Sequence, residues 1–109
     1  MFAAPVPRVP DLPFIRSYIK FMRYTCDPAK LAANVAKHGI WFTAAEDFDW
    51  ETAVVEVVHR NGEARLMALG LIGERVHVMV VTLRETCVRI ISLRKASKKE
   101  VRFYAETQD

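Results

Sequence analysis

A chain of 109 residues, 51% of them hydrophobic, has enough apolar side chain for one core and too little length for two. Its net charge of +3 is modest but uneven: from Arg84 to Tyr104 seven basic residues stand against two acidic ones, whereas Glu46, Asp47, Asp49 and Glu51 form an acidic stretch. A basic pole of this kind suits a local anionic partner such as a nucleic-acid backbone, and charge alone serves a merely solvated face equally well. No apolar run approaches the ~18 residues that span a bilayer, and the first residues lack the basic flank and apolar stretch of a signal peptide. Cys26 and Cys87, both in apolar surroundings, read as reduced thiols rather than a disulfide framework. A membrane protein and a secreted scaffold are thereby set aside, and a cytoplasmic setting is expected.

Residues 1 to 13 carry four of the five prolines and show no periodicity, which predicts a disordered or extended tail. Phe14 to Phe21 is more apolar, with Phe14, Ile15, Tyr18, Ile19 and Phe21 at roughly the spacing of a short docked helix. Arg23–Cys26 is a candidate short strand. Asp27 as N-cap and Pro28 at the first helical position then start a helix that runs to His38, where Gly39 supplies a left-handed stop. Leu31, Val35 and His38 share the stripe expected to face the core; Lys30, Asn34 and Lys37 share the polar one.

Thr43-Ala44-Ala45-Glu46 has the form of a capping box and predicts a second helix of about two turns reaching Trp50. The β half begins at Ala53–Val58. A turn through His59-Arg60-Asn61-Gly62-Glu63 follows, Asn-Gly being a strong hairpin signal. Arg65–Ile72 and Arg75–Leu83 are the next strands, joined at Gly73-Glu74, and Arg84-Glu85-Thr86 leads into the last, Val88–Ala96. Ser97-Lys98-Lys99-Glu100 is another capping box, so a C-terminal helix should continue through Val101, Tyr104 and Ala105. The expected architecture is α+β: two helices, then a four-stranded antiparallel sheet and a C-terminal helix, with the helices on one face.

The blocks Asp27-Pro28-Ala29-Lys30, Asn34, Lys37-His38-Gly39-Ile40, Phe42, Gly62-Glu63-x-Arg65, Ala68-Leu69-Gly70 and Arg89-Ile90-Ile91-Ser92-Leu93-Arg94-Lys95-Ala96, in that order, resemble the BrnT toxins of bacterial type II toxin–antitoxin systems from Met22 to about Tyr104. The resemblance implies a RelE-like fold, a ribonuclease that arrests translation, and neutralisation by a BrnA-like ribbon-helix-helix antitoxin, through which alone DNA would be reached. Two departures stand out. Cys26 takes the place of a tryptophan usual before the helix-opening aspartate, and residues 1–21 precede the usual start, so they are an extension or reflect a start codon assigned too early, with the toxin domain at 22–109.

Cleaving RNA without a metal requires a group to take the 2′-hydroxyl proton, cations to stabilise the charged pentavalent phosphate, and an acid for the leaving oxygen. Arginines can supply the second. Arg65, Arg84 and Arg94 are the candidates, each with a structural ion pair as its alternative role. Arg94, at the end of a central strand, ranks first; Arg89, five residues away, should lie on the opposite face of a regular strand and support the sheet. His38, inside a family motif, suits proton transfer, although its stripe also fits packing. Lys95, Lys98, Lys99 and Lys30 are candidate RNA contacts, Lys98 and Lys99 beside the free amides of a helix N-terminus. Tyr104 is a candidate acid or base-stacking surface, or equally a packing residue. The cysteines and histidines show no metal-ligand spacing, and no cofactor loop or nucleophile elbow is present. The same arginines would serve a catalytically silent module that binds RNA or protein.

Overall fold

The computed structural model describes residues 19–84 and 87–108. The proline-rich tail, most of Phe14–Phe21, and Glu85 and Thr86, where the sequence predicts a turn, lie outside them. The elements are β1 (Arg23–Cys26), α1 (Pro28–His38), a 3-10 helix (Phe42–Asp47), β2 (Val54–Arg60), β3 (Glu63–Ile72), β4 (Arg75–Leu83), β5 (Cys87–Lys95) and α2 (Lys98–Thr107).

The expected order of two helices and a four-stranded antiparallel sheet is corrected in three respects. The sheet has five strands, ordered β1-β5-β4-β3-β2, and it is mixed, because β1 runs parallel to β5 with Thr25 opposite Arg89 and Cys26 opposite Ile90. A parallel partner needs a long crossover, here everything from α1 to β4, and a four-residue strand carries no pattern that names so distant a mate. The second expected helix is a 3-10 helix. Trp41 at its N-cap makes no side-chain cap bond, so the Thr43–Glu46 box does not form. Phe42, Ala45 and Phe48 are all buried, and a three-residue spacing stacks on one side of a helix with three residues per turn. Finally, the helices do not share a face. Leu31 of α1 and Phe42 and Ala45 of the 3-10 helix pack with Leu66, Ala68, Met79, Val81, Val88, Ile90 and Leu93, whereas Tyr104 of α2 packs with Leu69, Val76 and Val78 on the other side.

Local signals fare better. Asp27 caps α1 through Ala29 N at 2.8 Å, and Gly39 ends it at φ 71°. The β2–β3 hairpin turns on Asn61 at φ 52° and Gly62 at φ 79°, the pair of positive angles that a two-residue loop of matching twist requires. The Ser97–Glu100 box forms in both directions.

Two details position the site. Between Val80 and Val81 of β4 the register shifts: Val80 pairs with Ser92 but Val81 with Ile90, leaving Ile91 as a bulged residue. Ile90 and Leu93 consequently enter the same core although they are three positions apart. Asn34, expected on the polar stripe of α1, is instead its buried residue. Its amide donates to Leu93 O at 2.8 Å and Ile40 O at 3.0 Å and accepts from Leu93 N at 3.0 Å. It thus satisfies the edge of β5 just past the point where β1 stops covering it.

Candidate functional site: a basic groove on the open sheet face

The bulge decides which side chains meet. In an unbroken strand Arg89 and Arg94 would point to opposite faces; with Ile91 looped out, Arg89, Ser92 and Arg94 stand opposite Thr82, Val80 and Val78 and share one face. Arg65 of β3, opposite Val58 of β2, belongs to that face too, since the ladder pairing Met67 with Val80 and Leu66 with Val81 brings Arg65 alongside Thr82. The sheet therefore carries a row from Arg65 through Thr82 to Arg89.

Two adjoining concavities open over this row. The larger, about 540 Å³, is walled by Val58, His59, Arg60 and Asn61 of the first hairpin, by Met67 and Val80, and by Ser92, a size typical of ligand sites. The smaller, about 140 Å³, is walled by Asp27, Glu63, Thr82, Arg84, Arg89 and Ile90. Lys30, Arg65 and Ile91 line both. Lys30 reaches them from the first turn of α1, which the Asp27-Pro28 start places beside the bulge. Arg84 is fixed by a 2.8 Å backbone bond from its N–H to Cys87 O.

Among the described residues, five cations thus face two carboxylates around the groove, and both carboxylates are engaged: Asp27 with the helix amide, Glu63 with Arg65 Nε at 3.1 Å. Glu63 Oε1 holds the Arg65 guanidinium in place, and His59 stands on the wall of the larger concavity. Side chains with five fixed donors beside a carboxylate suit binding of a phosphodiester and charge stabilisation during in-line displacement.

A profile of the family described as ribonuclease toxin, BrnT, of type II toxin–antitoxin system matches residues 26–100. This chain belongs to the BrnT family. It is similar in structure to the ribonuclease toxin BrnT of Brucella abortus, at 27% identity and a TM-score of 0.55, over 71% of this chain and 99% of that one. No curated protein sequence matches. Among the described residues, no helix is long and apolar enough to cross a membrane. The BrnT match spans α1 to the first turn of α2, so it contains every residue that lines the two concavities.

The sequence-derived site residues divide. Arg65 and Arg84 meet in the groove, as does Lys30. Arg94 does not line it: its guanidinium grips Glu100 with Nη1–Oε1 at 2.8 Å and Nη2–Oε2 at 2.9 Å. Glu100 Oε1 also accepts from Ser97 N at 2.8 Å, so Arg94 ties the capping box of α2 to β5. The Arg94 hydrogen bonds hold the Glu100 carboxyl down at about 2, and they raise the Arg94 pKa in turn. Tyr104 is buried, with its hydroxyl 2.7 Å from Thr52 Oγ1. Lys98 and Lys99 are exposed on the first turn of α2, Lys95 is exposed at the end of β5, and His38 is half-buried at the end of α1; none of them lines the groove. Arg89, Glu63, Thr82 and His59 were not candidates in the sequence. The first two sit in the motif blocks Arg-Ile-Ile-Ser and Gly-Glu-x-Arg, which was the available signal; Thr82 and His59 carried none.

Proposed function

We propose that the chain is the toxin of a type II toxin–antitoxin pair and an endoribonuclease that cleaves RNA without a metal ion, arresting translation until a ribbon-helix-helix antitoxin neutralises it. The observation that supports this most is the bulge at Ile91, which adds Arg89 to Arg65, Arg84 and Lys30 around one concavity. In this reading the RNA backbone lies along the groove with the scissile phosphate over the Arg65–Arg89 row. The arginines stabilise the charge of the pentavalent phosphate, Glu63, already held by Arg65, takes the proton of the attacking 2′-oxygen, and the bond from phosphorus to the 5′-oxygen breaks as that oxygen takes a proton from water. Arg94 acts one step away, by fixing α2 to the strand that carries Arg89.

The test is cleavage of RNA by the purified protein in EDTA, together with growth arrest when it is produced without its partner. Cleavage that survives EDTA supports the reading. Cleavage that appears only on adding a divalent metal overturns the metal-free chemistry, and RNA binding without cleavage would make the chain a silent member of its family.

A further inference from the structure

Thr82 is 4% exposed, lines the smaller concavity, and its hydroxyl is a buried side-chain polar atom with no hydrogen-bond partner among the described residues. Leaving a buried hydroxyl unsatisfied costs about 1–3 kcal/mol, and buried polar groups are nearly always paired. A threonine oxygen in a strand commonly finds a neighbour across the sheet. Here the cross-strand neighbour on one side is Arg89 and the register brings Arg65 alongside on the other, with side-chain origins about 5 Å apart. Arg84 and Lys30 complete the wall. These four side chains offer donors only, and of the two carboxylates that line the concavity among the described residues one is turned to Ala29 N and the other to Arg65. Among the described residues the hydroxyl therefore has cations as its cross-strand neighbours and neither carboxylate as a hydrogen-bond partner.

One ligand satisfies all of these groups at once. A phosphate oxygen accepts from the hydroxyl and from the guanidinium groups on both sides, and the concavity of about 140 Å³ is of a size for a single phosphoryl group rather than a base. We propose that Thr82 is a positioning residue for RNA, donating a hydrogen bond to a backbone phosphate oxygen that Arg65 and Arg89 hold by charge. This rests on the ribonuclease reading for the identity of the ligand, and it adds what the arginines cannot provide. Long cationic side chains attract a phosphate from many directions, whereas a hydroxyl on a central strand fixes one oxygen at one place.

The proposal makes stability and binding move in opposite directions. Thr82→Val keeps the shape and removes the orphaned hydroxyl, so its melting temperature should rise. Inorganic phosphate, compared with chloride at equal ionic strength, should raise the melting temperature of the parent and of Thr82→Ser, and should do so much less for Thr82→Val and Thr82→Ala. Affinity for an uncleavable 2′-O-methyl oligoribonucleotide should fall roughly tenfold or more in Thr82→Val and be kept by Thr82→Ser. A Thr82→Val protein that responds to phosphate as the parent does overturns the proposal. So does one that loses the phosphate response but binds the oligoribonucleotide unchanged, since the ligand would then be free phosphate. Cleavage by the parent, measured alongside, separates the two claims. A parent that binds phosphate through Thr82 yet cuts no RNA ends the ribonuclease reading and leaves the phosphate site, and cleavage with an indifferent Thr82 does the reverse.

Discussion

Replacing Asn34 by aspartate changes one atom and removes two hydrogen bonds. The amide is 3% exposed and donates to Leu93 O and Ile40 O at 2.8 and 3.0 Å; a carboxylate cannot donate, so both carbonyls lose their partner and face a buried negative charge. At about 1–3 kcal/mol for each orphaned group, with the bond from Leu93 N retained, the loss is on the order of 3–5 kcal/mol, a large part of the ~5–15 kcal/mol that holds such a domain together. Urea denaturation of parent and Asn34→Asp, with fitted slopes compared to confirm the same two states, measures it. Burial and the facing carbonyls raise the folded-state pKa of the new aspartate. Its protonated form is thus favoured by folding, and the deficit against the parent should shrink as the pH falls through that raised value towards the ordinary aspartate range. A loss below about 1 kcal/mol, or one that grows with acidity, would refute the claim that this amide closes the edge of β5.

Arg65→Lys and Arg89→Lys should each lower RNA cleavage on the order of a hundredfold, with melting temperatures near the parent's, because the charge stays and the planar fork is lost. Arg94→Lys should do the opposite, lowering the melting temperature by a few degrees while cleavage is largely kept; equal losses of activity in all three would restore Arg94 to the site. Glu100 is held at about 2 by Arg94, so the stability it contributes is fully present above the ordinary glutamate range and is lost as the pH falls towards 2. Glu100→Gln should therefore be less stable than the parent at neutral pH, with the two acid-denaturation curves converging near pH 2. Ile19 is fully buried in the core that α1 and the 3-10 helix form with the sheet, so Ile19→Ala should cost about 2–5 kcal/mol, roughly 10–20 °C in melting temperature. An unchanged melting temperature would show that the domain begins at Met22.

Where a structural event is decided by a few neighbouring residues, it was legible in the sequence. Asp27-Pro28 and Gly39 bound a helix, Asn61-Gly62 makes a hairpin, and Ser97 and Glu100 cap each other, each by backbone chemistry contained in four or five residues. What failed to show were events decided across the sheet. The bulge at Ile91 exists because both Ile90 and Leu93 must be buried against the same helices, and an apolar run with Val88, Ile90, Ile91 and Leu93 conceals which of its members is the extra one. Strict alternation therefore sent Arg89 to the wrong side. Asn34 looked like a polar surface residue because its partners are backbone groups on a strand 59 positions away. Thr43–Glu46 had the letters of a capping box, but burial of Phe42, Ala45 and Phe48 at spacing three selected a tighter helix. For the candidate site, charge and motif together pointed to Arg65, Arg84 and Lys30. Arg94 has the same chemistry as those residues, and it takes the ion-pair alternative because Glu100 is within reach.

The parallel pairing of β1 with β5 also sets an order of events during synthesis. Thr25 meets Cys87 at a separation of 62 residues, and the groove draws Lys30 from the first third of the chain, Arg65 from the middle and Arg89 from the last. At roughly 5–20 residues per second on the ribosome, β1 waits several seconds for its mate. No shorter fragment brings Lys30, Arg65 and Arg89 together. The groove is therefore complete only once the last strand is made, and a nascent chain of this kind carries an unfinished one through most of its synthesis.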